Sequence, residues 1–129
     1  MPIPTLLGHS ILIVEDEPLI VLDMTNSLSC TKAQITSTNT LKHALTLVEM
    51  DGLSAAILDH ALPDGDSSDL CERLNKRGIP YLIYSGFTHV EGPCKDAPHL
   101  SKPATAESLI AAVEDLILRD RPVSAVPAG

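Results

Sequence analysis

Apolar residues in this chain recur as short unbroken runs that alternate with stretches of helical spacing. Ile11, Leu12, Ile13 and Val14 make the first run, a buried strand over Ser10 to Val14 that stops at Glu15-Asp16-Glu17. Pro18 follows, suited to the first turn of a helix because no N–H is needed there. Val21, Met24 and Leu28 then form a stripe. Gln34 to Ser37 is a weaker strand. Asn39 or Thr40 caps the next helix, where Leu41, Ala44, Leu45 and Val48 keep the i, i+3, i+4, i+7 spacing until Met50-Asp51-Gly52. Ala55 to Leu58 is a strand ending at Asp59, and Leu62-Pro63-Asp64-Gly65 is turn chemistry. Ser67 or Ser68 caps a helix carrying Leu70, Cys71 and Leu74, closed by Arg77-Gly78. Pro80 to Tyr84 is a fourth strand, ending at Ser85-Gly86. From Phe87 to Pro98 no period holds, and Gly92, Pro93 and Pro98 interrupt it. His99-Leu100-Ser101 is a short strand before Lys102-Pro103. Thr105 caps a last helix with Glu107 in its first turn and a stripe of Leu109, Ala112, Val113 and Leu116. Beyond Arg119, Pro122 and Pro127 stand among small residues, and residues 120–129 are expected to be a disordered tail.

Strands that are continuously apolar, rather than alternating, have both sheet faces covered. Strand–helix alternation of this kind predicts one doubly wound, parallel α/β domain over residues 9–119. The 129 residues leave no room for a second sizeable domain. Aromatic residues are 2% of the chain, so the core must be aliphatic.

Charge narrows the classes of function. Seventeen acids against nine bases give a net charge of −8, which argues against nucleic-acid binding, since that needs a basic face. No apolar stretch approaches the roughly 18 to 20 residues of a membrane span, and Met1 to Thr5 lack the pattern of a secretory signal. Cys30, Cys71 and Cys94 are odd in number and widely spaced, which points to free thiols, a reducing compartment and a cytoplasmic protein.

Ligands of an open parallel sheet sit beyond the carboxyl ends of its strands. Those ends here are Glu15 and Asp16, Asp59, Ser85 and Lys102. Three crowded carboxylates raise one another's pKa unless a cation lies among them. All-oxygen ligands suit a hard ion, Mg²⁺ above all, or Mn²⁺ in its place. Asp59 is then placed to attack phosphorus as a carboxylate nucleophile, with the Lys102 ammonium and the Ser85 hydroxyl suited to holding phosphoryl oxygens.

In kind, order and strand position, Glu15-Asp16, Asp59, Ser85 and Lys102-Pro103 resemble the response regulator receiver domain of two-component phosphorelay signalling. The resemblance covers roughly residues 9 to 119 and implies a flavodoxin-like five-stranded sheet of order 2-1-3-4-5. It makes Asp59 the phosphoacceptor, Asp16 a direct metal ligand, Glu15 a ligand mainly through water, and the Ala61 backbone carbonyl the third protein ligand. Ser85 becomes the switch hydroxyl and Lys102 the partner of a phosphoryl oxygen, with a cis bond before Pro103. The phosphoryl donor is a histidine kinase or phosphotransfer protein. The expected protein is a stand-alone receiver signalling by protein contact or serving as a phosphate sink. It is not expected to be a turnover enzyme, because Asp-nucleophile phosphatases carry a second Asp where this chain has Ala61.

Two departures matter. The usual aromatic residue three positions before the lysine is His99, which keeps open a receiver-like interaction module that works without phosphorylation. The link between the fourth and fifth strands is short, so an atypical fourth helix is expected. Pro80-Tyr81-Leu82-Ile83-Tyr84-Ser85-Gly86-Phe87 resembles the Pro-Phe-x-Phe-Ala-Thr-Gly-Tyr signature of a receiver subclass, with Ile83, Tyr84 and Ser85 as substitutions. Plainer readings compete at each position. The acidic triplet suits any helix N-terminus, and Asp59 any turn. His89, Cys94 and His99 fit no standard zinc spacing. His43 belongs on a solvated face, His60 beside the active edge, and Cys71 in the core.

Overall fold

The computed structural model describes residues 6–59, 61–62, 65–66, 68–85, 97–102 and 104–119. Its elements in chain order are β1 (Ser10–Val14), α1 (Pro18–Leu28), β2 (Gln34–Thr38), α2 (Leu41–Leu47), β3 (Ala55–Leu58), β4 (Ala61–Leu62), β5 (Gly65–Asp66), α3 (Ser68–Arg77), β6 (Tyr81–Ser85), β7 (His99–Ser101) and α4 (Ala106–Arg119). Five strands form one sheet in the order β2-β1-β3-β6-β7, and every neighbouring pair in it is parallel. Counting these strands alone, the order is the expected 2-1-3-4-5. The pair β4–β5 is a separate antiparallel hairpin, with Leu62 opposite Gly65, where turn residues were read from the sequence.

Alternate residues of the central strands feed two different cores. Leu12 and Val14 pack with Ala56, Leu58, Ile83, Ala44, Val48, Leu70 and Leu74 under α2 and α3. Ile11 and Ile13 pack with Ile57, Leu82, Met24, Leu28, Leu109 and Val113 under α1 and α4. That two-sided burial is why β1, β3 and β6 read as unbroken apolar runs. β2 reads weakly for the opposite reason: it is an edge strand, and only Thr38 of its five residues is buried.

Local chemistry sets the helix ends. The Glu17 side chain accepts the Leu19 N–H at the head of α1, directly before Pro18. Thr40 accepts from His43 N–H at 3.2 Å, and Thr105 from Ser108 N–H at 3.0 Å. Gly78, at φ +70°, ends α3 in the left-handed conformation that glycine adopts without strain. Between the far ends of α2 and α3, Arg73 pairs with Glu49, and Arg77 donates to Asp51 at 3.2 Å.

One expectation is corrected. Cys71 is buried in the core, as its stripe implied, but it is disulfide-bonded rather than a free thiol. Its partner lies outside the described residues, while Cys30 is free and exposed. An odd count leaves one thiol over, but spacing along the chain says nothing about which sulfurs meet in space. The cysteine argument for a reducing compartment therefore lapses. The expectations for His60, the fourth helix between residues 87 and 98, the bond to Pro103 and the tail lie wholly or mostly outside the described residues.

Candidate functional site

Three of the four parallel ladders continue one step past their strands and, in doing so, place a polar side chain on the same edge. Glu15 N–H donates to the Thr38 carbonyl at 3.0 Å, Asp59 N–H to the Val14 carbonyl at 2.8 Å, and Lys102 N–H to the Ser85 carbonyl at 3.1 Å. Residues far apart in sequence are thus registered by backbone hydrogen bonds before their side chains interact. One carboxylate oxygen from each of Glu15, Asp16 and Asp59 lies within 4.8 Å of the others. Glu15 is 2% exposed and Ser85 1%, whereas Asp16 is open to solvent.

The cluster already holds one cationic group. Lys102 Nζ donates to Glu15 Oε1 at 2.8 Å and lies 3.7 Å from Asp59 Oδ1. Burial pushes the Glu15 carboxyl above its ordinary pKa; the Lys102 hydrogen bond and the Glu17 N–H pull it down, and the neighbouring Asp59 pushes it up again. For Lys102 burial works against the charge, but the Glu15 hydrogen bond and the nearby charges of Asp59 and Glu15 outweigh it, so the ammonium is held above its usual range. Three oxygen donors on one face, one of them open to water, form a donor set that fits a hard divalent cation.

Ala61, the second residue after Asp59 in the chain, opens the β4–β5 hairpin opposite Asp66. His99 is exposed on β7 in register with Ile83. His43 is on a solvated face as expected, yet its Nδ1 lies 2.9 Å from the buried Thr38 hydroxyl. A groove of about 490 Å³ opens beside Asp16, with Val21 and Leu22 of α1 on one wall and Thr38 and His43 on the other.

A family model of the response regulator receiver domain matches residues 11–114. The chain belongs to that family. The region matched takes in Glu15, Asp16, Asp59, Ser85 and Lys102 of this receiver. Among solved structures, it is similar to SdrG from Sphingomonas melonis Fr1, at 35% identity over 81% of this chain and 95% of that one, with a TM-score of 0.70. A response regulator receiver protein from Sinorhizobium medicae WSM419 aligns at 21% identity over 88% and 98%, TM-score 0.79. A CheY-like receiver domain protein from Methanospirillum hungatei JF-1 aligns at 21% over 87% and 95%, TM-score 0.78. The last two show the fold alone. No curated protein matches.

Two features of the receiver's site were not read from its sequence. One is the Lys102–Glu15 contact, which spans 87 positions. The other is Tyr84, noted only as a departure from a signature, whose ring centroid lies 5.5 Å from Lys102 Nζ. The run Leu82-Ile83-Tyr84 before Ser85 gave no local sign of either contact. No described helix is long and apolar enough to cross a membrane.

Proposed function

We propose that this receiver is a phosphorylation switch that takes a phosphoryl group on Asp59 from the phosphohistidine of a histidine kinase or phosphotransfer protein. The observation that carries the reading is the joint placement of Glu15, Asp16, Asp59 and Lys102 on one sheet edge, inside the matched family region. In the transfer, an Asp59 carboxylate oxygen forms a bond to phosphorus as the donor's P–N bond breaks. The electron pair leaves with the imidazole, which is protonated from solvent.

Glu15, Asp16, Asp59 and the Ala61 carbonyl would hold a Mg²⁺ or Mn²⁺ ion. When bound, such an ion neutralises charge on the phosphoryl oxygens, the main requirement of a loose transition state. Lys102 keeps a second positive charge beside Asp59. Ser85, buried at the end of β6, offers a hydroxyl on the same edge. With Ala61 where a phosphatase needs an acid, the acyl phosphate is hydrolysed slowly rather than turned over. The switch acts through protein contacts in the cytoplasm, where kinases draw on ATP. The run from Pro80 to Phe87 resembles the Pro-Phe-x-Phe-Ala-Thr-Gly-Tyr signature, and that resemblance supports a place in the subclass that carries it.

The test is mass spectrometry after incubation with Mg²⁺ and a small phosphodonor such as phosphoramidate. The wild type should gain one phosphoryl group, and Asp59→Asn should gain none. Failure of the wild type to gain mass, from either the small donor or a phosphorylated kinase, would leave the interaction module as the better reading.

A further inference from the structure

Tyr84 lies beside the site but has no part in the chemistry above. It is 5% exposed, on β6 between Ile83 and Ser85, and belongs to the core under α1 and α4. Three successive alternate residues of the neighbouring segment are referred to it. Leu100 is its backbone register partner on β7. Lys102 sets its ammonium over the ring, 5.5 Å from the centroid. Ala104 donates its N–H to the Tyr84 hydroxyl at 3.1 Å. Leu100 and Ala104 also pack against the same core, so this side of the segment is anchored on both sides of the lysine.

An ammonium within about 6 Å of a ring centroid is attracted by the negative face of the ring, and more strongly where water is partly excluded. The Lys102 side chain is 23% exposed, so the contact is partly sheltered. A lysine has a long, freely rotating stem that must be ordered before its charge can act at a fixed point. Glu15 orders it with a directional hydrogen bond that a phosphoryl oxygen on Asp59 would compete for. The ring contact is far less directional, so it does not tie the ammonium to either carboxylate.

We propose that Tyr84 is a positioning residue for Lys102: its ring steadies the ammonium between Glu15 and Asp59, and its hydroxyl holds the chain immediately after the lysine. The proposal concerns this chain's own geometry, and its use in phosphoryl capture rests on the function proposed above.

The first arm of the test uses metal-free protein and NMR of the Lys102 side chain. In the wild type the ring should shift the Lys102 ε-methylene signals away from those of a solvated lysine. Tyr84→Phe keeps the ring, so it should keep that shift while speeding hydrogen exchange at Ala104 N–H by about 2- to 10-fold, the worth of one hydrogen bond. Tyr84→Leu should return the Lys102 signals to the solvated position. The second arm adds Mg²⁺ and beryllofluoride as a phosphoryl mimic. Affinity should fall about 3-fold in Tyr84→Phe and about 10-fold in Tyr84→Leu.

Unchanged Lys102 signals in Tyr84→Leu would overturn the proposal. So would loss of the shift in Tyr84→Phe, because the ring would then have no hold of its own. If Tyr84→Leu does not fold, Tyr84→Phe decides alone, through the pairing of a retained Lys102 shift with faster Ala104 exchange. A wild type that shows the shifted lysine but binds no beryllofluoride would refute the phosphoacceptor reading and leave the positioning role standing.

Discussion

Replacing Lys102 with methionine removes a charge while keeping most of the stem's volume. Glu15 would then stand 2% exposed, beside an Asp59 carboxylate that is 12% exposed, with no ammonium between them. Removing one partner of a buried ion pair costs roughly 3–5 kcal/mol, because the other charge is left uncompensated. The Lys102 side chain is 23% exposed, so water already screens part of the interaction. A loss of about 2 kcal/mol near neutral pH, without divalent ions, is therefore expected. The chain has no tryptophan, so urea unfolding is best followed by far-UV circular dichroism. A slope of about 1–3 kcal/mol per molar urea converts that loss to a midpoint lowered by about 1 M. The effect carries a pH signature. Burial raises the folded pKa of Glu15 above 4.5, and losing the Lys102 hydrogen bond raises it further. A carboxyl with a raised folded pKa binds more protons folded than unfolded, so stability falls as pH rises from 4.5 toward the folded value. The deficit of Lys102→Met should thus be full above that window and shrink as pH is lowered toward 4.5. Millimolar Mg²⁺ should also narrow it by supplying the missing charge. Equal stability of the two proteins at neutral pH, or a deficit that does not change on acidification, would refute the reasoning.

Three other outcomes follow from the same geometry. In Asp59→Asn, burial still raises the Glu15 pKa, but the added push from Asp59 is gone, so carbon-detected NMR of the Glu15 carboxyl should show its midpoint moved down toward 4.5. Lys102 is held above its ordinary 10.5, so its stabilisation is fully present below that pH and is lost as pH rises through the folded value; the wild type and Lys102→Met should converge in strong alkali, provided both remain folded there. Gly78→Ala forces a β-carbon into φ +70° at the end of α3 and should cost about 1 kcal/mol by urea unfolding, although the space around it is open.

Secondary structure was legible because burial repeats locally. Val14, Leu58 and Ile83 sit in runs that are apolar at every position, and Leu109, Val113 and Leu116 keep a helical stripe, so each element announces itself within a few residues. The chemistry was legible for a related reason. A parallel sheet puts the carboxyl ends of its strands on one edge, which makes Glu15, Asp16, Asp59, Ser85 and Lys102 neighbours as soon as the strands are recognised.

What the sequence left open is what depends on side-chain direction and on pairs far apart in the chain. Whether Lys102 turns to Glu15 or Asp59 is decided by rotamers and by partial burial, and the 2.8 Å and 3.7 Å distances appear only once the strands are in register. Tyr84 read as a substitution in a motif; its role beneath the lysine needs β7 laid against β6 so that residues 100, 102 and 104 pass it in turn. The bonded state of Cys71 is of the same kind, since pairing is a property of space rather than spacing. The sequence by itself determined which apolar residues form the core faces and which polar groups reach one edge of the sheet, because the first follows from short-range periodicity and the second from where parallel strands end. Only the tertiary structure decided which of those groups touch, because contact depends on long-range register and on the few rotamers that close packing allows.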